Sequence, residues 1–472
     1  MYKVNQSLTE TYSQSDILLE NQQKKVSLRS SQTRWIALIL ACFTCVGDYY
    51  CGNLTQALQT YLMEAFKIDP LKFNTISSAA AVPNIVLPLI GGLIIDLFGI
   101  RPTFAIAGFI VIIGQVILTY GVAQEEFKYL IIGKLVGSIG AGPLFVAKSA
   151  MLVKWFVGKE LSFALGAALC VSRLGSSLDS VISPAVYTWT EKLHIPFVVG
   201  TFVCVFAWIT ILSLNFLDRK ADLEEQVIVQ GEPAKKKVFT LSDIMKSKRI
   251  FFLIAFSAGL LYGAFFGFTG NLNDHMVKRF GFEPKTAGLI IPIIYVCPSV
   301  ITPIFGKYTD NKGQRVKMVI LATIVFLISH LYIAYLPDVK AKGQVNYDII
   351  FGLIGIGVFY SIYAAVIWPC IALVVDEKLT GIAYGFTASI QSLILTFLPL
   401  ILGDINVLTK DEKHGYFWSQ MCLAGIVVAG LMLTIIVYFE DKLKNGARLD
   451  RPGTDRENSE IDEKPERTES TL

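Results

Sequence analysis

The chain has 472 residues and a net charge of +4, with 53% hydrophobic and only 17% charged side chains. With a mean hydropathy of +0.54, this excludes an ordinary soluble domain, and the small positive charge needs no nucleic-acid partner to explain it. The 8 cysteines all fall in apolar stretches, so no disulfide framework or metal site is expected and they read as small packing residues.

Residues 1–33 are polar, rich in Ser and Gln, and predict a disordered tail without the apolar core of a signal peptide. Within them Asp16-Ile17-Leu18-Leu19 has the form of an acidic dileucine sorting signal, with Gln14 where the usual acidic residue stands. Apolar stretches of about 20 residues then predict twelve spanning helices near 34–58, 73–98, 103–123, 129–153, 160–188, 195–217, 250–272, 286–306, 317–337, 347–375, 379–403 and 416–439. The fold class expected is an all-α membrane protein of two pseudo-symmetric six-helix bundles, 34–217 and 250–440. The break between them, 218–249, carries Arg219, Lys220, Lys235, Lys236, Lys237, Lys246, Lys248 and Arg249, which places it in the cytosol by the positive-inside rule. Both termini are then cytosolic, and the charged stretch 441–472 predicts a second disordered tail.

A short phrase occurs twice. Gly92-Leu93-Ile94-Ile95-Asp96-Leu97-Phe98-Gly99-Ile100-Arg101 and Gly306-Lys307-Tyr308-Thr309-Asp310-Asn311-Lys312-Gly313-Gln314-Arg315 both read G-x-x-x-D-x-x-G-x-R, at an offset of 306 − 92 = 214 residues. Each copy joins the end of one apolar stretch to the start of the next, the mark of a two-fold-repeated transporter. The carboxylates Asp96 and Asp310 and the guanidinium groups Arg101 and Arg315 suit a gate, because a helix end favours the first and a fork can bridge to a neighbouring helix. Gly92, Gly99, Gly306 and Gly313 complete the gating set.

These hinges resemble the cytosolic motif of the major facilitator superfamily, and Gly133-Lys134-Leu135-Val136-Gly137-Ser138-Ile139-Gly140 is a second trace of it, with Lys134 in place of the usual arginine. Within the superfamily, Pro83-Asn84-Ile85-Val86-Leu87, Ser172-Arg173-Leu174-Gly175-Ser176 and Gly381-Ile382-Ala383-Tyr384-Gly385-Phe386 resemble the lysosomal dipeptide transporters. The resemblance implies alternating access, a lysosome-like or vacuolar membrane, or alternatively the plasma membrane, and export of dipeptides or amino acids to the cytosol. It also implies a glycosylated single-span accessory membrane protein as partner, and Asn53-Leu54-Thr55 lies where no sugar would be added. One departure bears on substrate: those transporters carry a substrate-contacting glutamate where this chain has Gly142.

Ionisable groups at membrane depth are costly and usually face a cavity. In the fifth helix Arg173, Ser176, Ser177 and Ser180 share one face, in the first Asp48, Gly52, Thr55 and Gln59, and in the eleventh Tyr384, Thr387 and Gln391. The candidate substrate-binding residues are Arg173, Asp48, Gln59, Ser176, Tyr384 and Gln391, with Arg173 as carboxylate anchor or else paired to Asp179 or Asp48. Asn271, Asn273, Asp274 and His275 read as a polar cap ending the seventh helix, His330 as core, Lys148 as snorkelling, and Trp35, Trp155 and Trp189 as interfacial anchors. No P-loop, nucleophile elbow or metal-ligand spacing occurs, so neither enzyme chemistry nor a cofactor is expected. A zwitterionic or anionic solute is the expected cargo; a sugar or organic-anion carrier of the same fold, or a sensor that binds without transporting, are the alternatives.

Overall fold

The computed structural model describes residues 29, 32–156, 161–226, 245, 247–339, 344–375, 379–409, 416–444 and 446–451. Every element among them is helical. The first span is α1 (Thr33–Phe43) and α2 (Val46–Ala57), followed by the short α3 (Gln59–Phe66); the second is α4 (Pro70–Ala81) and α5 (Leu87–Phe98). Single helices make the third to seventh: α6 (Ile100–Ala123), α7 (Phe127–Trp155), α8 (Leu161–Thr190), α9 (His194–Gln226) and α10 (Arg249–Phe280). The eighth is α11 (Pro284–Ile290) and α12 (Ile293–Lys312), and α13 (Arg315–Tyr335), α14 (Ile349–Val374), α15 (Thr380–Leu408) and α16 (Phe417–Lys444) complete twelve.

Among the described residues 10 spans are long and apolar enough to cross a membrane, and the two that are not stand at matching places in the halves. Proline explains both. Pro83 and Pro88 lack the N–H that would carry α4 into α5, and a three-residue turn fills the gap; Pro292 does the same between α11 and α12. The first span bends likewise at Thr44 and Cys45, where no proline stands.

The repeat reaches further than the hinge phrase. Phe66-Lys67-Ile68-Asp69-Pro70 and Phe280-Gly281-Phe282-Glu283-Pro284 are again offset by 284 − 70 = 214, and each turns the chain from one helix into a proline-started next one. In the first copy the Asp69 carboxylate accepts from the Lys72 N–H at 2.7 Å as an N-cap. Gly99 (φ +83°) and Gly313 (φ +69°) both take the positive φ that favours glycine at the two hinges.

Each half has its own apolar core. Phe73, Phe104 and Phe197 are fully buried in the first, and Phe265, Phe326 and Phe359 in the second. Large apolar side chains such as Phe202, Phe216, Tyr335 and Phe351 point outward, as a lipid-facing belt requires. The glycines of the fourth-span trace serve packing: Gly133 and Gly137 sit so close to Gly114 of α6 that a side chain on Gly114 or Gly133 would meet backbone.

At the end away from the hinges four hydrogen bonds join the halves among the described residues, and deeper in Arg173 meets the Tyr360 hydroxyl. Asn74 donates to Pro399 O (2.7 Å), Gln59 to Asn271 Oδ1 (3.4 Å), Thr60 to Asn273 Oδ1 (3.3 Å) and Asn273 to Ala57 O (3.2 Å).

Several expectations need correction. α10 runs to Phe280, so Asn273, Asp274 and His275 do not cap a helix end; they are buried, with Asp274 accepting from Tyr416 and His275 meeting Gln420 at 3.3 Å. His330 is in the core, as expected, with its Nδ1 2.8 Å from Gln420 Oε1. Lys148 does not snorkel: it is 2% exposed, packed over the Phe145 ring. Trp155 is buried rather than interfacial, because its indole N–H donates to Asp218 at 3.0 Å. The polar break begins later than expected, since α9 carries Asp218 and Asp222 to its own end. The stretch expected as a C-terminal tail is instead structured over residues 441–444 and 446–451, with Leu449 fully buried.

Candidate central binding site

Between the halves lies a cavity of about 330 Å³, at the small end of ligand-binding cavities. Asp48, Gln56, Asn84, Lys134, Arg173 and Ser176 are among its polar lining. Its charges come from three spans of the first half, and the second half contributes chiefly Phe266, Tyr295 and polar side chains of α10 and α15.

Arg173 is held by aromatic faces. Its guanidinium carbon lies 5.1 Å from the centre of the Tyr49 ring, 5.4 Å from Tyr360 and 5.5 Å from Phe266, so three spans besides its own surround it. No carboxylate among the described residues forms an ion pair with it, and its Nε has no hydrogen-bond partner. Asp179 is engaged elsewhere, accepting from Asn53 Nδ2 (3.1 Å) and Ser183 Oγ (2.5 Å). The aromatic quadrupoles soften the burial of the cation but cannot neutralise it.

The serines on the same stripe have other duties. Ser176 donates to Tyr49 O at 3.0 Å, which ties α8 to the first span, and Ser180 donates back to Ser176 O at 3.1 Å, so Arg173 is the charge of that face. Lys134 donates to Cys51 O (3.0 Å) and Gly52 O (2.9 Å), bracing the first span from α7. Asp48 lines the same cavity one helical turn before Gly52, and no described group donates a hydrogen bond to it. The cavity thus holds Arg173 without a carboxylate partner among the described residues, and Asp48 without a hydrogen-bond donor, the Lys134 and Lys148 charges being its nearest compensation.

Gly142 borders this region. A side chain built on it would start 3.0 Å from Asn84 Oδ1, so the space beside position 142 is already taken by the amide of Asn84.

The remaining candidates fall elsewhere. Gln59 is fully buried in the closure between the halves, not in the cavity. Tyr384 donates to Trp368 O at 3.2 Å, and Gln391 packs near Gly259 of α10; neither lines the cavity. Sequence spacing overlooked Gln56, which lies one residue beyond the face assigned to the first helix yet lines the cavity.

At the first hinge Arg101 donates to Asp218 Oδ2 (2.7 Å) and also pairs with Asp222. Lys154 reaches Asp218 at 2.9 Å and Asp222 at 2.8 Å, and Arg29 of the N-terminal tail pairs with both as well. The hinge arginine therefore binds within its own half. Lys154, Asp218 and Asp222 were not among the sequence candidates; the signal was the pair of acids four residues apart at a helix end. At the second hinge Arg315 donates to Arg451 O at 3.1 Å, and the Val316 N–H donates to the Asp450 carboxylate at 2.9 Å. Gly306 has open space around it. Gly92, Asp96 and Asp310 are helical, but their surroundings lie outside what the structure describes.

Comparison with known proteins agrees with this architecture. The family described as Major Facilitator Superfamily matches residues 37–399. The Lysosomal dipeptide transporter MFSD1 of Danio rerio is 30% identical over 423 residues, 88% of each chain, and that of Homo sapiens is 30% identical over 88% of this chain and 87% of its own. The Hexuronate transporter of Escherichia coli K12 is 23% identical over 85% of this chain and 88% of its own. Among solved structures, the nucleoside transporter NupG superposes with a TM-score of 0.64 at 13% identity, covering 86% of this chain and 99% of that one. The chain is a multi-pass membrane transporter and belongs to the major facilitator superfamily.

Proposed function

We propose that the protein moves dipeptides or amino acids by alternating access, out of a lysosome-like compartment into the cytosol, with both tails on the cytosolic side. The observation that carries this reading is the Arg173 guanidinium, caged by Tyr49, Phe266 and Tyr360 with no carboxylate partner among the described residues, in a central cavity that also holds the Asp48 carboxylate. A zwitterion satisfies both at once: its carboxylate meets the Arg173 fork and its ammonium meets Asp48. The relatives named for dipeptide transport support the substrate class.

Transport follows from the closure. With Asn74, Gln59 and Thr60 bonded across to the second half, the cavity is roofed at the far end. Breaking the four hydrogen bonds at the far end while the hinge ends close would expose the same residues to the other side. Asp96, Asp310, Arg101 and Arg315 act in this cycle as the gating set, Arg101 by fixing α6 to α9 and α7 within its half.

A sugar-acid carrier is the second reading, favoured by the largely amide and hydroxyl lining and by the hexuronate relative. Uptake of radiolabelled dialanine, alanine and glucuronate into proteoliposomes of the purified full-length chain separates these. Accumulation of dialanine or alanine supports the proposal; glucuronate alone supports the second reading; binding without uptake identifies a sensor.

A further inference from the structure

The amide side chains that line the cavity are not equivalent. Asn53 spends its NH2 group on Asp179 Oδ2 (3.1 Å) and Ser180 Oγ (2.9 Å), Asn74 on Pro399 O (2.7 Å), Asn84 on Ala80 O (3.3 Å) and Asn271 on Gly267 O (3.2 Å). Gln56 alone among the lining amides has a side chain that makes no hydrogen bond to any described residue. It projects from α2 toward α10 at Gly270, where a side chain would start 3.5 Å from its Nε2 and where the missing side chain leaves room. Asp48, Gly52 and Gln56 are spaced i, i+4 and i+8, so Gln56 shares the cavity face with Asp48, two turns along the same span.

An amide left unbonded in a cavity of this size is a neutral hydrogen-bonding group offered to the ligand. Arg173 and Asp48 account for the two charged ends of a zwitterion, which an amino acid and a dipeptide have in common. What a dipeptide adds is a neutral amide between those ends. We infer that Gln56 reads the peptide group of the substrate and so sets the preference for dipeptides over single amino acids. The inference rests on the zwitterion reading of the cavity. Its chemistry is selective because a site built to hydrogen-bond a polar group discriminates strongly against ligands that lack it. Gly270 belongs to the same device, since a Cβ there would already rest in van der Waals contact with the Gln56 amide, 3.5 Å from its Nε2.

The test is a binding titration of purified full-length protein with dialanine and with its trans-alkene isostere, which keeps both charged ends and their planar spacing but has neither amide N–H nor C=O. Wild type should bind the isostere about five- to tenfold more weakly, the scale of one net hydrogen bond. Gln56→Ala should bind dialanine more weakly by a similar factor and treat the two ligands alike, while its loss of affinity for C-terminally amidated dialanine stays as in wild type. Because the Gln56 amide bonds no other polar group among the described residues, Gln56→Ala should melt at the wild-type temperature, which separates lost recognition from lost folding. A Gln56→Ala protein that keeps the full preference for dialanine over the isostere overturns the role of Gln56 and leaves the zwitterion reading standing. Wild type that binds neither ligand but binds glucuronate overturns both.

Discussion

Lys67 and Gly281 are 281 − 67 = 214 residues apart and close equivalent helices in the same left-handed backbone conformation, at φ +52° and +75°. Only the second is a glycine. A side chain in this region costs about 1 kcal/mol or more, so the first half carries a strain that the second avoids. Lys67→Gly should raise the melting temperature. Gly281→Ala should lower it by more, since its Cβ would also meet the Gln344 carbonyl oxygen. Thermal unfolding of the two purified variants checks both signs.

Arg173 should carry ligand affinity and cost stability. Arg173→Ala is expected to weaken dialanine binding by about 2–3 kcal/mol, the scale for removing one partner of a desolvated charge pair. Arg173→Lys should recover only part, because an ammonium lacks the two-pronged geometry. Amidated dialanine should bind wild type poorly and be nearly indifferent to the mutation. Because the guanidinium has no carboxylate partner among the described residues, Arg173→Gln should melt higher than wild type. Additive losses in the ligand-by-mutation cycle would falsify the contact.

At the first hinge the two acids should differ. Asp218 is 1% exposed and accepts from Arg29, Arg101, Lys154 and the buried Trp155 indole, so Asp218→Ala removes four charge-assisted hydrogen bonds and should destabilise by about 2–3 kcal/mol. Asp222 is 30% exposed, and Asp222→Ala should cost no more than about 1 kcal/mol. Asp96→Asn and Asp310→Asn should slow turnover and leave ligand affinity unchanged. Melting curves test the first pair; initial uptake rates beside equilibrium titrations test the second.

Closure at the far end can be locked. Thr60 and Asn273 touch across the halves at 3.3 Å, so Thr60→Cys with Asn273→Cys should form a disulfide on oxidation. Uptake should stop and return on reduction, while each single variant stays insensitive to oxidant. Continued uptake by the cross-linked protein would show that this contact does not open during transport.

The fold was largely legible because apolar length and the duplicated hinge are direct readouts of membrane thickness and symmetry. Gly99 and Gly313 stand where the phrase requires glycine, and φ there is positive. Continuity was less legible: a hydropathy window over 73–98 registers apolarity but not the N–H groups missing at Pro83 and Pro88. The second repeated phrase, around Asp69-Pro70 and Glu283-Pro284, was present in the sequence but masked by side-chain changes that keep only shape and charge. Arg173 and Asp48 could be found because charges at membrane depth are rare. Gln56 could not, since what distinguishes it from Asn53 or Asn74 is the absence of a partner. Lys154 meets Asp218 across 64 residues of chain, a pairing that only packing reveals. The burial of Lys148 was missed for the same reason.

The short turn after α16 has a practical consequence. Leu449 fills the core between α10, α13 and α14, its N–H donates to Asp441 at 3.0 Å, and Asp450 caps the start of α13 directly beneath Gly313. A chain ended at Lys444 would therefore lose a core side chain and the cap of its ninth span together, and an affinity tag or fluorescent fusion spliced there would report on a damaged carrier. Appended after Arg451, the same tag would leave the second hinge intact.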